Sequence, residues 1–446
     1  MQRDLTKGNV FNNLFFFSLP FLFSYFLQTF YGLADLFIIG QFNQAHITTA
    51  VSVGSQIMHM VTVIIVGLAA GTTVMIGRCV GAKNEENAAK AIGNSSSFFL
   101  IFSIALALLL ILCINPILSI LSVPEESLYQ TKLYLLICFA GIPFITAYNV
   151  IASIFRGLGD SKTPMYFVIV ACIINIIADY ILIGIFDMKA LGAALGTVFS
   201  QTISVLICLV YIKKRSLGIK VCKNDFKLKK STLSSILLIG FPVAAQDGFI
   251  QISFLVITAI ANSRGVSIAA SVGVVEKIIG IMFLIPSSML SAVSAIASQN
   301  AGAENHKRSK QTLYYGMLIT TVVGLIFSIA TQFFSDSLVG LFTKDESVIF
   351  YGSQYLRSYV FDCVLAGFHF CFSGFFTAYK KSLLSFIHNV ASVFIIRIPL
   401  CYVATALYPN NLFPMGVAAP LGSLLSTLIC LVFFIIFFRN KKMKTL

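Results

Sequence analysis

The sequence predicts an all-α membrane protein with twelve transmembrane helices arranged in two six-helix bundles. Hydrophobic residues make up 58% of the 446-residue chain and charged residues only 11%, with a mean hydropathy of +0.91. Apolar runs long enough to cross about 30 Å of hydrocarbon recur along the whole chain. The second half also resembles the first, as expected of a duplicated bundle. This composition excludes an ordinary soluble globular protein.

Short polar loops separate the apolar runs and set the limits of each predicted span. The predicted spans are residues 14–39, 47–76, 93–114, 131–155, 164–186 and 192–212 in the first half, and 233–261, 267–298, 311–334, 351–377, 382–407 and 415–438 in the second. The amino end, MQRDLTKGNVFNN, is polar and is not followed by a small-residue cleavage site. We therefore expect no cleavable signal peptide.

The basic residues indicate the orientation of the spans. The net charge of +14 is spread over short loops rather than one soluble face, so we expect no nucleic-acid partner. Alternate loops and the two termini carry 24 Lys and Arg, and the opposite loops carry only Lys132, Lys189, Arg264, Lys344 and Arg357. The positive-inside rule then places both termini in the cytoplasm. We expect a multi-pass protein of the plasma membrane, with the lipid bilayer as its surroundings.

A basic linker, KKRSLGIKVCKNDFKLKK, divides two similar halves. The predicted domains are an amino-terminal lobe (1–213), a cytoplasmic linker (214–231) and a carboxy-terminal lobe (232–446). CVGAKNEENAAK falls on QNAGAENHKRSK at an offset of 221 residues, and Pro20 corresponds to Pro242. A parallel repeat of six spans implies a pseudo-two-fold axis along the membrane normal, which suits alternating access. The two prolines are expected to kink their helices.

Buried acids suggest where an ion binds. Asp35 and Asp179 both lie deep in apolar spans, where a charge is costly and usually functional. Asn175 lies one helical turn before Asp179, and Thr197 follows the small-residue stretch 192–196, which would let two helices approach closely. Carboxylate, amide and hydroxyl oxygens can hold a sodium ion, and a carboxylate pair can instead hold a proton. A purely structural acid, capped by a neighbouring hydroxyl, is the alternative interpretation.

The acid pair is not repeated in the second half. The position 222 residues beyond Asp35 is Ile257, and the region that matches Asp179 is the RIPLCY segment around Arg397. A structural acid in a duplicated fold is expected in both halves. The asymmetry therefore favours a dedicated coupling site in one lobe.

Several motifs together resemble the multidrug and toxic compound extrusion (MATE) transporters. They are FYGLADLFIIGQF, GLAAGTTVMIGRCVGA, IFRGLGDSKTP and NIIADYIL in the first half, and SAIASQNAGAENHKRS and RIPLCY in the second. The resemblance implies a V-shaped, two-lobed pump that exchanges organic cations or drugs for sodium ions or protons and works as a monomer. It also implies a coupling site at Asp35, Asn175, Asp179 and Thr197, and a substrate cavity that includes Gln28, Tyr31 and Asn149.

The second half departs from one pattern of that family, in which acids of spans seven and ten hold sodium. Asp247 and Asp362 lie near those spans but close to their predicted ends, so an interfacial, solvated position is expected for both. They remain secondary candidates together with Glu276. Glu276 and Lys277 are adjacent and hence about 100° apart on a helix, so they do not face one pocket. Arg397 is expected to connect helices rather than to bind a cationic substrate.

No enzyme motif or cofactor site is evident. His59, His369 and His388 share no metal-ligand spacing and are expected to be hydrogen-bonded packing residues, and the ten Cys show no CxxC pair. Neither HExxH nor GxSxG occurs, which disfavours an intramembrane enzyme. The predicted function is antiport of hydrophobic organic cations against H⁺ or Na⁺. A flippase for a lipid-linked saccharide or another amphiphile is the alternative, although central Lys and Arg residues are few.

Overall fold

A computed structural model describes residues 4–121, 123–215 and 217–438. These residues form helices joined by short loops. The α-helices are α1 (Val10–Phe42), α2 (Ala45–Gly81), α3 (Glu85–Leu112), α4 (Ile114–Ile120), α5 (Glu125–Ala140), α6 (Ile142–Gly157), α7 (Lys162–Asp179), α8 (Lys189–Arg215), α9 (Lys230–Asn262), α10 (Val266–Met282), α11 (Leu284–Gly302), α12 (His306–Gly340), α13 (Glu346–Tyr359), α14 (Asp362–Ala378), α15 (Ser382–Ala391), α16 (Ile398–Leu407) and α17 (Phe413–Phe438). Two π-helical segments, Tyr180–Ile185 and Ser392–Arg397, follow α7 and α15, and a short 3₁₀ helix covers Lys223–Phe226.

The prediction of twelve spans is confirmed when each bent pair of helices counts as one span. Among the described residues, ten stretches are long and apolar enough to cross a membrane without a sharp bend. The pairs α5 with α6 and α13 with α14 also pass this test together, with bends of 48° and 44°. The first bend falls at Gly141, where the next helix begins with a proline in its first turn. A proline is tolerated there because its missing N–H has no partner in the first turn.

Polar caps mark the starts of α3 and α12, both of which begin before the predicted spans. The side chain of Asn84 accepts a hydrogen bond from the Asn87 N–H at the start of α3, and Asn305 accepts one from Arg308 at the start of α12. Each asparagine follows a residue in the left-handed region, Lys83 (φ 54°) or Glu304 (φ 57°). These turns fall on each other at the offset of 221 residues, so the repeat is present in the backbone as well as in the sequence.

The described residues form two compact units, which do not divide the chain at a single point. Phe23–Gly240 makes up most of the first unit, and Leu5–Leu22 belongs to the second unit together with the chain from Phe241 onward. The helices α1 and α9 therefore each contribute residues to both units. Each of these long helices contains a proline, Pro20 or Pro242, close to its point of division.

Small residues and one asparagine hold the linker and α9 in the first unit. A Cβ on Gly71 would collide with the carbonyl oxygen of Ile236, so α2 and the start of α9 pack backbone to backbone. Asn94 in α3 accepts a hydrogen bond from the Lys229 N–H at 2.6 Å and donates to the Asp225 carbonyl at 3.0 Å. The described part of the linker is thus an ordered segment packed on α3.

Arg308 makes most of the side-chain hydrogen bonds that hold the amino-terminal segment in the second unit. The guanidinium of Arg308 donates to the carbonyl oxygens of Gly8 and Lys7, each at 2.6 Å, and to that of Leu5 at 3.4 Å. The Leu5 N–H in turn donates to the side-chain oxygen of Gln299 at 3.1 Å, and the Leu5 side chain is fully buried. This Arg308 clamp orders the chain before α1 begins.

Candidate functional site

Three buried polar side chains meet in the first unit. Asp35 from α1 is 8% exposed, and Asn175 and Asp179 from α7 are 1% and 0% exposed. The Asp35 carboxyl adjoins the side chains of both Asp179 and Asn175. No donor among the described residues is aligned to bond Asp35 Oδ1, either carboxyl oxygen of Asp179, or the amide oxygen of Asn175. A buried carboxylate without a partner is costly, so this cluster fits a proton or a hard cation.

A glycine in α8 lets this cluster form. A Cβ on Gly196 would collide with Asp179 Oδ1, and one on Gly192 would press on the backbone of Leu182. The close helix approach predicted from the small-residue stretch is therefore confirmed between α7 and α8. Thr197 follows Gly196, and its hydroxyl donates to the Ala193 carbonyl at 3.0 Å. The Thr197 oxygen can still accept from a donor or bind a cation, because a hydroxyl has two lone pairs.

The helix changes its hydrogen-bond register directly after Asp179. Asp179 ends α7, and residues Tyr180–Ile185 continue as a π-helix. Such π-turns are rare and frequently lie at functional sites, because they reorient the side chains around them. No feature of the apolar pattern of this span signals the π-turn.

Tyrosines and cysteines surround the two acids. Tyr31, one helical turn before Asp35, and Cys172 in α7 lie within electrostatic range of Asp35. Tyr134 in α5 lies within electrostatic range of both acids and next to the side chain of Cys138. The Tyr134 ring packs so closely on Gly54 of α2 that a Cβ there would collide with it. Sequence reasoning missed Tyr134, since it sits near the predicted start of its span with no distinguishing neighbours.

The residues predicted to line a substrate cavity are placed on α1 and α6. Gln28 and Tyr31 are both half-buried, as is Asn149. The Asn149 amide donates to the Ile145 carbonyl one turn earlier at 2.8 Å. Their role in substrate binding stays a prediction.

The expected solvated position is wrong for Asp362 and stays a prediction for Asp247. Asp247 is half-buried near the middle of α9, where Gln246 Nε2 lies 3.5 Å from its Oδ1. Asp362 begins α14 at the bend of its span and is only 1% exposed. The sequence suggests span ends there because Asp247 follows Pro242 by five residues and Asp362 follows Arg357 by five residues. In the structure α9 runs through Pro242, and Arg357 lies within α13.

Arg397 organises a second polar cluster, in the second unit. Its guanidinium donates to the Tyr359 hydroxyl and lies 5.1 Å from the centre of the Phe254 ring. Asp362 and Glu276 both lie within electrostatic range of Arg397. Arg397 thus connects helices, as expected, and it is the charged group that Glu276 faces.

The two units therefore differ less in their buried acids than the sequence predicted. Ile257 is a buried core residue, so the position of Asp35 is apolar in the second unit. A buried acid is nevertheless present there, since Asp362 lies at the bend of another span. The difference is that Asp362 lies within electrostatic range of an arginine, whereas no Lys or Arg of the described residues acts on Asp35 or Asp179.

Comparison with known proteins gives the same family for both halves. The MatE family model matches residues 20–181 and again residues 242–403. The chain is 25% identical over 453 residues to the probable multidrug resistance protein YoeA of Bacillus subtilis (strain 168), covering 100% of this chain and 98% of that protein. It is 28% identical over 408 residues to the multidrug export protein MepA of Staphylococcus aureus (strain MSSA476), covering 90% and 89%.

Solved structures share the fold over nearly the whole chain. The crystal structure of MATE in complex with MaL6 has a TM-score of 0.93 at 20% identity and covers 99% of both chains. A MOP superfamily transporter from Pyrococcus furiosus has a TM-score of 0.91 at 20% identity and covers 97% of both chains. At this identity the likeness shows the fold alone. Together with the two family-model matches, it identifies this multi-pass membrane protein as a member of the MatE family.

Proposed function

We propose that this protein is a secondary active transporter that exports hydrophobic organic cations, drugs among them, in exchange for H⁺ or Na⁺. The observation that carries the proposal is the buried cluster of Asp35, Asn175 and Asp179, in which Asp35 Oδ1 and both carboxyl oxygens of Asp179 lack aligned donors among the described residues. The names of the relatives, which are multidrug resistance and export proteins, support drugs as the cargo. The same relatives are transporters, which supports transport rather than enzymatic catalysis.

Coupling follows from competition for the buried charge. An ionised pair of carboxylates in an apolar setting is unstable, and a proton or sodium ion relieves that instability. Binding of the ion therefore favours the conformation in which the pair is enclosed, and an organic cation favours the other conformation. Asp35 shares α1 with Pro20, so bending at that proline transmits the change along the helix.

Topology and assembly complete the proposal. Both termini and the linker face the cytoplasm of the plasma membrane, as the loop charges indicate. The transporter works as a monomer, with Gln28, Tyr31 and Asn149 in its substrate cavity. No cofactor is required, because the ion gradient supplies the free energy.

Transport by purified protein in liposomes tests this function. The fluorescent cation ethidium serves as the cargo, under either an imposed pH gradient or an imposed Na⁺ gradient. We expect one gradient to drive ethidium movement by the wild type, and Asp35→Asn and Asp179→Asn to abolish it. Asp187→Asn is the matched control, because Asp187 is exposed in the loop after the π-turn. Wild-type transport rates in both site variants, or no movement of ethidium under either gradient, would overturn the proposal.

A further inference from the structure

A second set of buried polar side chains lies where α14, α15 and α17 pack together. His369 is 6% exposed and His388 is fully buried. The Nε2 of His369 lies 3.2 Å from the Ser423 hydroxyl. His388 is bracketed by two hydroxyls, with Ser373 2.9 Å from Nε2 and Ser426 3.0 Å from Nδ1. The sequence predicted hydrogen-bonded packing for both histidines, and both are hydrogen bonded.

The two histidines differ in how completely they are bonded. The Ser426 hydroxyl donates to the carbonyl oxygen of His388 at 3.1 Å, so its oxygen accepts from the N–H at His388 Nδ1. Nε2 of His388 then accepts from Ser373, and the neutral ring is satisfied at both nitrogens. His369 uses only Nε2, because its buried Nδ1 has no partner among the described residues. His369 is therefore the one of the two with an unused nitrogen.

A serine connects His369 to Asp362. The Ser423 hydroxyl lies against the Asp362 carboxyl as well as against Nε2 of His369. Asp362 and His369 are seven residues apart on α14, so they lie on one face of the helix. The buried Oδ1 of Asp362 has no aligned partner among the described residues. An acid, a hydroxyl and an imidazole thus form a continuous path for one proton.

The ionisable groups around this path carry one more negative charge than positive charge when all of them are ionised. Tyr359 lies within electrostatic range of Arg397, Asp362 and Glu276. Two carboxylates against one guanidinium leave one negative charge in excess, and a buried excess charge is costly. One proton removes the excess, whether it resides on a carboxyl group or on His369.

The titratable groups around His369 come from α14 itself and from the helices that pack against it. Arg397 and His388 both lie within electrostatic range of His369. The helix α11 and residues 316–335 of α12, which pack against α14, contain no titratable side chain. The other titratable side chains of α12 lie towards its two ends: His306, Lys307, Arg308, Lys310, Tyr314, Tyr315 and Asp336. Of the other helices packed on α14, α15 carries His388 and α17 the thiol of Cys430, and α14 itself carries the thiols of Cys363 and Cys371. Arg397 is thus the charged side chain that lies within electrostatic range of His369 among these residues.

We propose that His369 is a proton-binding site of the second unit and exchanges its proton with Asp362 through Ser423. In the forward step Ser423 gives its hydroxyl proton to Nε2 of His369 and takes the carboxyl proton of Asp362 onto its own oxygen. The products are an imidazolium and a carboxylate that faces Arg397. The neutral ring of His388, 5.7 Å away between ring centres, holds the His369 ring in place. The inference deepens the proposed antiport function by naming the proton as the ion of a second site.

Nuclear magnetic resonance of histidine-labelled protein in lipid nanodiscs tests this site directly, since the chain has only five histidines. His369→Gln identifies the His369 signal, and if that variant fails to fold, His46→Gln, His59→Gln, His306→Gln and His388→Gln identify it by elimination. We expect the His369 ring nitrogens to change from neutral to protonated between about pH 9 and pH 5. Asp362→Asn and Ser423→Ala should each shift the midpoint, while the His388 signal stays neutral throughout.

Three outcomes overturn the proposal. The first is a His369 ring that stays neutral over the whole pH range, with and without ethidium. The second is a titration that neither Asp362→Asn nor Ser423→Ala changes. The third is a His369 signal that responds to Na⁺ at constant pH rather than to acid. Failure of the proposed transport function is separate, because it is measured by Asp179→Asn in liposomes, a change that should leave the His369 titration intact.

Discussion

Gly196 lies so close to Asp179 that no side chain fits between them. A Cβ at position 196 would collide with Asp179 Oδ1. The glycine therefore decides where the carboxyl group sits in relation to Asp35, although it supplies no ligand itself. The position of the acid depends on a helix that carries no acid.

Gly196→Ala should displace the Asp179 carboxyl and reduce ion-coupled transport strongly. Inserting a methyl group into a closed contact costs about 1–3 kcal/mol, so the variant should fold but with lower stability. Ethidium transport in liposomes and thermal unfolding are the two measurements. Gly273→Ala in α10 is the matched control, because a Cβ there meets no atom within 4 Å. Equal transport by Gly196→Ala and the wild type would contradict the packing argument.

Arg397→Gln should destabilise the second unit. It leaves Asp362 and Glu276 without the guanidinium in whose electrostatic range they lie, and an uncompensated buried charge is costly. The double variant Arg397→Gln with Asp362→Asn should recover part of that loss, because neither charge then remains. A thiol-reactive dye can follow thermal unfolding, since seven of the cysteines are buried. Additive losses in the double variant would show that the two residues do not interact.

Arg308→Ala should release the amino-terminal segment. The guanidinium donates to three backbone carbonyls in residues 5–8, whereas Asn300 and Asn13 each donate to one of them. Hydrogen exchange of the backbone amides from Leu5 to Asn9 should become faster, while exchange in α17 stays unchanged. Lys307→Ala, an exposed neighbour, is the control. Unchanged protection of residues 5–9 in Arg308→Ala would show that other contacts order the segment.

The two repeated helix caps should contribute similar amounts to stability. Asn84→Ala and Asn305→Ala each remove a side chain that accepts from the first turn of a long helix, at a cost of about 1 kcal/mol. Asn84→Ser and Asn305→Ser should restore most of the loss, because serine is also a good cap. The free energy of unfolding of the four variants is the measurement. A serine variant no better than its alanine counterpart would mean that the cap hydrogen bond is not what is lost.

Much of the fold was predictable from the sequence. The long apolar runs indicate the membrane spans, and the similarity of the two halves indicates two related bundles. The pairing of Asp35 with Asp179 was also suggested by sequence, because both acids stand out in apolar spans. The burial of Asp362 was not predictable, since the chain bends beside it rather than ending there. Tyr134 was missed for a different reason. Its proximity to the acids depends on its packing against Gly54, a tertiary contact without a local signal.

The π-turn after Asp179 shifts the phase of the helix around it. One additional residue in a turn rotates every later side chain by about 100° about the axis. A helical wheel drawn with a regular period from Asn175 therefore assigns the wrong face to residues beyond Asp179, including the buried Ile183. In a mutational scan of this span, the positions that are sensitive to substitution should follow one helical periodicity before Asp179 and a shifted one after it.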